Sequence, residues 1–264
     1  MRIFIEGVGV LGSGLNGWQA SQPILAGTAP YLPAALAIPP GDLLPSAERR
    51  RTGVPVKLAL AIGCEAVAQS QRNASELPAV FASSGGDGDN MHYIFDMLSQ
   101  NGREVSPTRF HNSVHNAPSG YWSIATKSMA PTTSVACFDA SFVAGLIEAA
   151  TQTLANGNAV VLVAYDAPYP QPLHAARPIS ATFGVALVLT RDKTDRSLAE
   201  LEISISRNSN SSTPIANAEL EAMRVGTPAA RSLPLLAALA TRTSDKICFD
   251  YIAGNQLDVA VRPC

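Results

Sequence analysis

The sequence predicts an α/β fold, and three observations predict it. The stretch Ser134 to Asp166 reads as strand, sharp turn, buried helix and buried strand, which is one βαβ unit. Its last segment, Ala159 to Ala164, is an unbroken valine-rich apolar run, as suits a parallel strand covered on both faces at the centre of a sheet. Ahead of that unit, a strand over residues 2–10, a long helix around Val56 to Val67 and a strand over Leu77 to Ser83 follow the same alternation.

RIFIEGVGV, residues 2–10, is a strand running into glycine. GVGVLG, from Gly7 to Gly12, fits the pattern GxGxxG, but that pattern holds a dinucleotide by opening a helix on the pyrophosphate. Ser13 to Gly17 is polar turn, no amphipathic helix starts there, and no acid stands at 25–35 to take a ribose, so strand and loop is the reading. Six prolines within residues 22–46 predict an irregular, packed excursion. Arg49-Arg50-Arg51 reads as a solvated turn or as ion-pair partners. Val56, Leu60, Cys64 and Val67, with Ala59, Ile62 and Ala66, then mark a helix with a wide apolar surface and place Cys64 in the core.

SSGGDGDN lacks calcium-ligand spacing and reads as a strand-to-helix turn capped by Asp89 or Asn90, with a helix through His92 to Leu98. In the central unit Phe142, Val143, Leu146, Ile147, Ala150 and Leu154 recur at helical spacing, Asp139 can cap the helix, and Asn156-Gly157 stops it. Tyr165 to Pro178 is a proline-rich loop, Thr182 to Thr190 a strand, and Leu198 to Ser206 a half-exposed strand. A serine- and asparagine-rich break at 208–214, a helix at 232–242 and a hairpin around Gly254-Asn255 complete the chain.

The densest informative cluster is RFHNSVHNAPSGYWSIAT, residues 109–126. His111 and His115 stand four apart, but a third metal ligand is lacking and Pro118 interrupts the helix, so a polar turn is expected and no metal. Tyr121-Trp122 with Ile124 resumes an amphipathic helix packed at an interface or in the core. Cys137 lies almost at a helix N-terminus, where a thiol pKa is lowered, and whether it occupies a reactive position is the functional question.

Apolar residues make up 47% of the 264 and charged ones 15%, which is little charge for a free-standing surface and points to a covering partner. A net charge of −2 supplies no basic field for nucleic acid and no polybasic membrane anchor. Cys64, Cys137, Cys248 and Cys264 show no paired spacing, and no apolar run approaches spanning length, so a cytoplasmic protein without a membrane span is expected.

MRIFIEGVGVLG, RRRTGVPVKLALAIGCEAVAQS, HNSVHNAPSGYWSIATKSMAPTTSVACFDASF and GNAVVLVAYDAP resemble, in order, the opening strand, first long helix, pre-nucleophile segment and following strand of β-ketoacyl-ACP synthases. The resemblance runs from about residue 2 to 206. It implies the thiolase fold of two βαβαβαββ halves, with a mixed, mainly parallel sheet covered by helices. Residues 1–206 would be the first half, and 207–264 a divergent helix and hairpin packed on it as one unit.

The family's nucleophilic turn has the form TACSS, where this chain has VACFDASF. Counting back from Gly157 puts the nucleophile column on Ala140, whereas anchoring on Ala136-Cys137 puts it on Cys137, and both stay open. The family's catalytic histidines belong after residue 206, but all four histidines here stand at or before 174. Without them a thioester oxyanion is unsupported. The resemblance therefore implies no catalytic residue, Cys137, Phe138, Asp139 and Ala140 being a vestigial nucleophile region, and no cofactor.

The resemblance implies a shortened subunit of the chain-length-factor type from aryl polyene and related pigment clusters. Such a subunit pairs with a complete β-ketoacyl-ACP synthase, meets acyl carrier protein through that partner and shapes the acyl tunnel. The joint would run edge to edge through Thr132, Thr133, Ser134 and Val135, with Thr133 offering a ladder donor. Phe110, His111, Asn112, His115, Asn116, Tyr121 and Trp122 would pack beside it and face the tunnel. The alternative is a stand-alone Cys137-dependent acyltransferase or thioesterase of thiolase fold.

Overall fold

Arg2–Gly12 (β1) is an 11-residue strand buried along almost its whole length, and GVGVLG lies inside it rather than in a loop. Gly7 and Gly9 are there because a helix presses on them: a Cβ at either position would overlap the backbone carbonyl of Ala66 or Ile62. That helix, Val54–Ser70 (α3), is the long one expected from the apolar spacing. The computed structural model describes residues 1–102, 104–207, 211–252 and 254–264.

The further strands are Leu15–Asn16 (β2), Ala79–Ala82 (β3), Thr132–Val135 (β4), Val160–Asp166 (β5), Phe183–Thr190 (β6), Ala199–Ser206 (β7), Asp245–Asp250 (β8) and Gln256–Pro263 (β9). They form one nine-stranded sheet in the order β4-β3-β5-β6-β1-β7-β9-β8, with β2 paired on β1. The sheet is mixed. Its parallel pairings are β3 with β4 and with β5. From β6 outward the pairings are antiparallel, so parallel order holds only where crossover helices join the strands, and the sheet is not parallel throughout.

The helices are Trp18–Leu25 (α1), Ser46–Arg49 (α2), α3, Gly88–Ser99 (α4), Pro107–His111 (α5), Ala117–Thr126 (α6), Ser141–Asn156 (α7), Leu173–Ala176 (α8), Ala218–Gly226 (α9) and Leu233–Thr241 (α10). Side chains of α1, α7, α9 and α10 fill one face of the sheet, and those of α3 and α6 the other. Phe142 of α7 meets Phe249 of β8 edge to face at 5.8 Å, which ties the C-terminal hairpin to the central unit.

Several elements depart from the sequence reading. A helix does start after Gly17, because Glu65 of α3 accepts from the N–H groups of Trp18 and Val10 and so caps α1 from outside its own segment. Asp87, not Asp89 or Asn90, caps α4 by accepting from Asn90 N–H. Pro118 begins α6 at a position where no donor is needed, rather than interrupting a helix. The helix α9 is new. Gly157 ends α7 at φ 68, as expected. Of the expected break at 208–214, residues 208–210 lie outside the described residues.

Candidate functional site at the strand ends

The three parallel strands β4, β3 and β5 end side by side, and their C-terminal ends are where an open α/β sheet places its chemistry. Asp166, at the end of β5, ties the ends of β5 and β3 to the segment at Ala229. Its Oδ1 accepts from Ser84 N–H (2.8 Å), Ser84 Oγ (2.7 Å) and Ser83 Oγ (3.3 Å), and its Oδ2 from Ala229 N–H (2.9 Å). Burial nonetheless pushes its carboxyl up to about 6, against the opposing pull of those donors. His115 closes the adjoining loop through Nε2 on the Ser83 carbonyl at 3.0 Å.

Beyond β4 the chain turns sharply at Cys137 into a 3-10 turn, Phe138–Ala140, that leads into α7. Ser141 Oγ accepts from Cys137 N–H (3.0 Å) and donates to the Phe138 carbonyl (2.8 Å). Phe138 takes φ 50, a left-handed conformation that is costly for a bulky residue. The residue is 64% exposed. Over its ring the Arg177 guanidinium carbon lies 3.6 Å from the centroid.

Arg177 also donates to Asp139 Oδ1 (2.6 Å), while Arg231 reaches Asp139 Oδ2 at 3.3 Å. Asp139 therefore does not cap α7: the cap position falls on Ala140, without a side-chain bond, and the carboxylate is spent on two arginines. Ala140 is 7% exposed, sealed at the head of the helix, and Cys137 is half-buried.

Among the described residues no histidine hydrogen-bonds Cys137, whose N–H donates to Ser141 Oγ and whose carbonyl accepts from Ala140 N–H. His92 stands on α4, His111 on α5, His115 on the Ser83 carbonyl and His174 on α8. No group of three metal-ligating side chains occurs among the described residues. Cys64 lines a wall of α3 rather than the closed core, and burial pushes its thiol up to about 11.

The tunnel segment divides in two. Phe110, His111 and Asn116 line an apolar surface groove of ≈ 740 Å³ together with Pro107, Val114, Gly120 and Ile124. Asn112, Tyr121 and Trp122 instead belong mainly to the chain's own interior, so of the two placements read for Tyr121-Trp122 the structure has the core one, and Asn112 goes with them rather than facing a tunnel. Tyr121 donates to Asn112 Oδ1 (3.0 Å), Asn112 donates to the Arg51 carbonyl (2.8 Å), and Trp122, fully buried, packs on Phe81. Only the edge of Tyr121 reaches the groove. His115 is likewise turned inward to Ser83.

Thr132, Thr133, Ser134 and Val135 form β4, an edge strand paired on one side only among the described residues. The Pro131 and Val135 carbonyls accept from Ala79 and Ser83 N–H of the β3 side, so odd-numbered residues turn their backbone groups inward. Thr133 thus points its donor into its own sheet, which corrects the expectation that it serves a partner; Thr132 and Ser134 face the free edge. Sequence reasoning missed Arg177, Arg231 and Asp166, since no local spacing links them to Cys137. The run of prolines around Arg177, marking a fixed loop, is the one signal that pointed there.

The profile described as β-ketoacyl synthase, N-terminal domain, matches residues 19–248, beyond the 206 at which the sequence resemblance was read to end. No curated protein matches the chain. Among solved structures the chain is similar to one in a ketosynthase complexed with its chain length factor from Xenorhabdus doucetiae, at 20% identity and TM-score 0.75 over 98% of this chain and 99% of that one. It is also similar to a chain of the ishigamide ketosynthase/chain length factor, at 14% identity and TM-score 0.73 over 100% and 99%. A chain from the structure of a type II polyketide synthase acyl-carrier protein in complex with its ketosynthase is similar at 12% identity and TM-score 0.76 over 100% and 99%. At these identities the likeness shows the fold, the thiolase-like one of ketosynthases.

Proposed function

The chain belongs to the β-ketoacyl synthase family, and from that membership we propose that it is a non-catalytic subunit of the chain-length-factor type. It pairs with a complete β-ketoacyl-ACP synthase and shapes the tunnel for a growing chain, in our reading that of an aryl polyene. The observation that carries this is the Cys137 turn itself, where no histidine hydrogen-bonds Cys137 among the described residues. Next to it Arg177 lies over Phe138 and binds Asp139, so the residues that follow Cys137 are committed to a stacked cation and an ion pair. A condensing enzyme needs a thiolate there, with donors aimed at the thioester oxygen.

Two further features support the pairing. The free edge of β4 and the apolar groove beside α5 and α6 leave Phe110, Val114 and Ile124 exposed, as a surface awaiting a partner does. Chain length factors stand beside ketosynthases in the complexes that the chain is similar to. Within the described residues no helix is long and apolar enough to cross a membrane.

Labelling with an acyl-carrier thioester or with cerulenin tests the reading. No label on Cys137 in the isolated chain is expected; stoichiometric label without a partner would establish the stand-alone acyltransferase instead.

A further inference from the structure

A second pocket lies far from the Cys137 turn, between α3 and the proline-rich strap at 31–44. It has a volume of ≈ 400 Å³ and walls of Leu11, Pro39, Leu43, Leu60 and Ala61. The strap is pinned on its near side by Tyr31 Oη donating to the Ser13 carbonyl (2.9 Å) and Ser13 Oγ donating to the Ala34 carbonyl (3.0 Å). Leu44 anchors its far end in the core.

The charges around this pocket are unequal in their commitments. Glu65 has both carboxylate oxygens engaged by backbone N–H groups of Trp18 and Val10, and burial raises its pKa. Asp42 is held by Arg49 at 2.6 Å. The Cys64 thiol stays neutral, its pKa pushed up to about 11. Lys57 forms no ion pair among the described residues and stands half-buried on the pocket wall. An apolar chamber with one uncommitted cation complements a ligand with an apolar body and one negative head.

We propose that this pocket binds a medium-length acyl carboxylate, its tail between Leu11, Leu43 and Leu60 and its carboxylate on Lys57. At roughly 30 Å³ per atom-sized unit the chamber holds about 13 such units, the size of a medium-chain acid rather than a long one. The apolar walls supply most of the affinity and the lysine supplies the choice of head group.

Calorimetric titration of the full chain with octanoate and with octan-1-ol tests it. Octanoate is expected to bind, octanol more weakly. Lys57→Gln should weaken octanoate about fivefold while leaving octanol unchanged, as one partly exposed ion pair allows. Ala61→Phe, which fills the chamber, should weaken both at least tenfold. The groove by α5 offers a competing apolar surface, so Phe110→Ser is titrated in parallel and should leave octanoate binding intact. Equal binding of acid and alcohol, binding unaffected by Ala61→Phe, or binding lost in Phe110→Ser would each overturn the proposal.

Discussion

Arg177 and Phe138 are stacked, guanidinium carbon to ring centroid at 3.6 Å, on the turn that follows Cys137. The stack fixes a phenylalanine in a left-handed conformation that its side chain disfavours, and Asp139 fixes the arginine in turn.

Removing the cation should therefore be felt locally. Arg177→Ala is expected to cost about 1 kcal/mol in urea unfolding, from the lost cation–π contact and the ion pair. Arg177→Lys should recover only part of it, because a compact ammonium cannot both stack and bind Asp139. An unchanged midpoint for Arg177→Ala would mean that the stack holds nothing in place.

Cys137→Ala is expected to leave product formation by the reconstituted pair within about twofold of wild type. In the reading above, the chain brings no histidine to Cys137 and the condensing groups belong to the partner. Product falling to background would identify Cys137 as an acyl acceptor.

Asp166 predicts a pH dependence of stability. Its folded pKa, about 6, is raised above the ordinary 3.8, so the fold favours the protonated form. The contribution is fully present below about pH 4, is lost as the pH rises toward and through 6, and totals on the order of 3 kcal/mol. Unfolding free energies of wild type and Asp166→Asn, compared at pH 4 and pH 7, should diverge by an amount of that order. The wild type should lose the more on going to pH 7, and parallel behaviour would remove Asp166 as the titrating group.

The backbone framework was legible in the sequence wherever one pattern dominated. The apolar run at 159–164, the helix stop at Asn156-Gly157 and the spacing from Val56 to Val67 each answer to local rules, and β5, α7 and α3 follow them. What sequence missed depends on distant partners. Glu65 caps α1 across the sheet, Asp139 leaves its helix for Arg177 and Arg231, and Tyr121 turns inward because Asn112 offers an acceptor. GVGVLG was ambiguous for the same reason: glycine for a phosphate and glycine for a pressing helix look alike in one dimension.

That helix contact gives a paired prediction. Gly7→Ala would drive a Cβ into the Ala66 carbonyl, backbone against backbone, and should cost about 3 kcal/mol or more. Gly120→Ala, within α6 and with open space around it, should stabilise by about 0.5–1 kcal/mol through helix propensity. Thermal unfolding of the two variants should move in opposite directions, and equal shifts would refute the packing account of Gly7.

The last prediction concerns the edge of β4. Carbonyls of Pro131 and Val135 accept from β3, so the alternation of a strand turns Thr133 inward as well and leaves Thr132 and Ser134 facing outward. Proline at 133 would remove a donor from the chain's own ladder and unfold the edge, which tests stability rather than assembly. Proline at 134 removes only an outward donor, and edge positions tolerate it. Ser134→Pro is therefore expected to fold like wild type by circular dichroism yet fail to co-purify with its synthase partner, because a sheet continued across the joint would lose a central ladder bond. Thr133→Pro should lower the unfolding midpoint of the chain on its own. Co-purification of Ser134→Pro at the wild-type level would show that the subunits do not join through this edge, and would leave the apolar groove at Phe110, Val114 and Ile124 as the remaining surface for the joint.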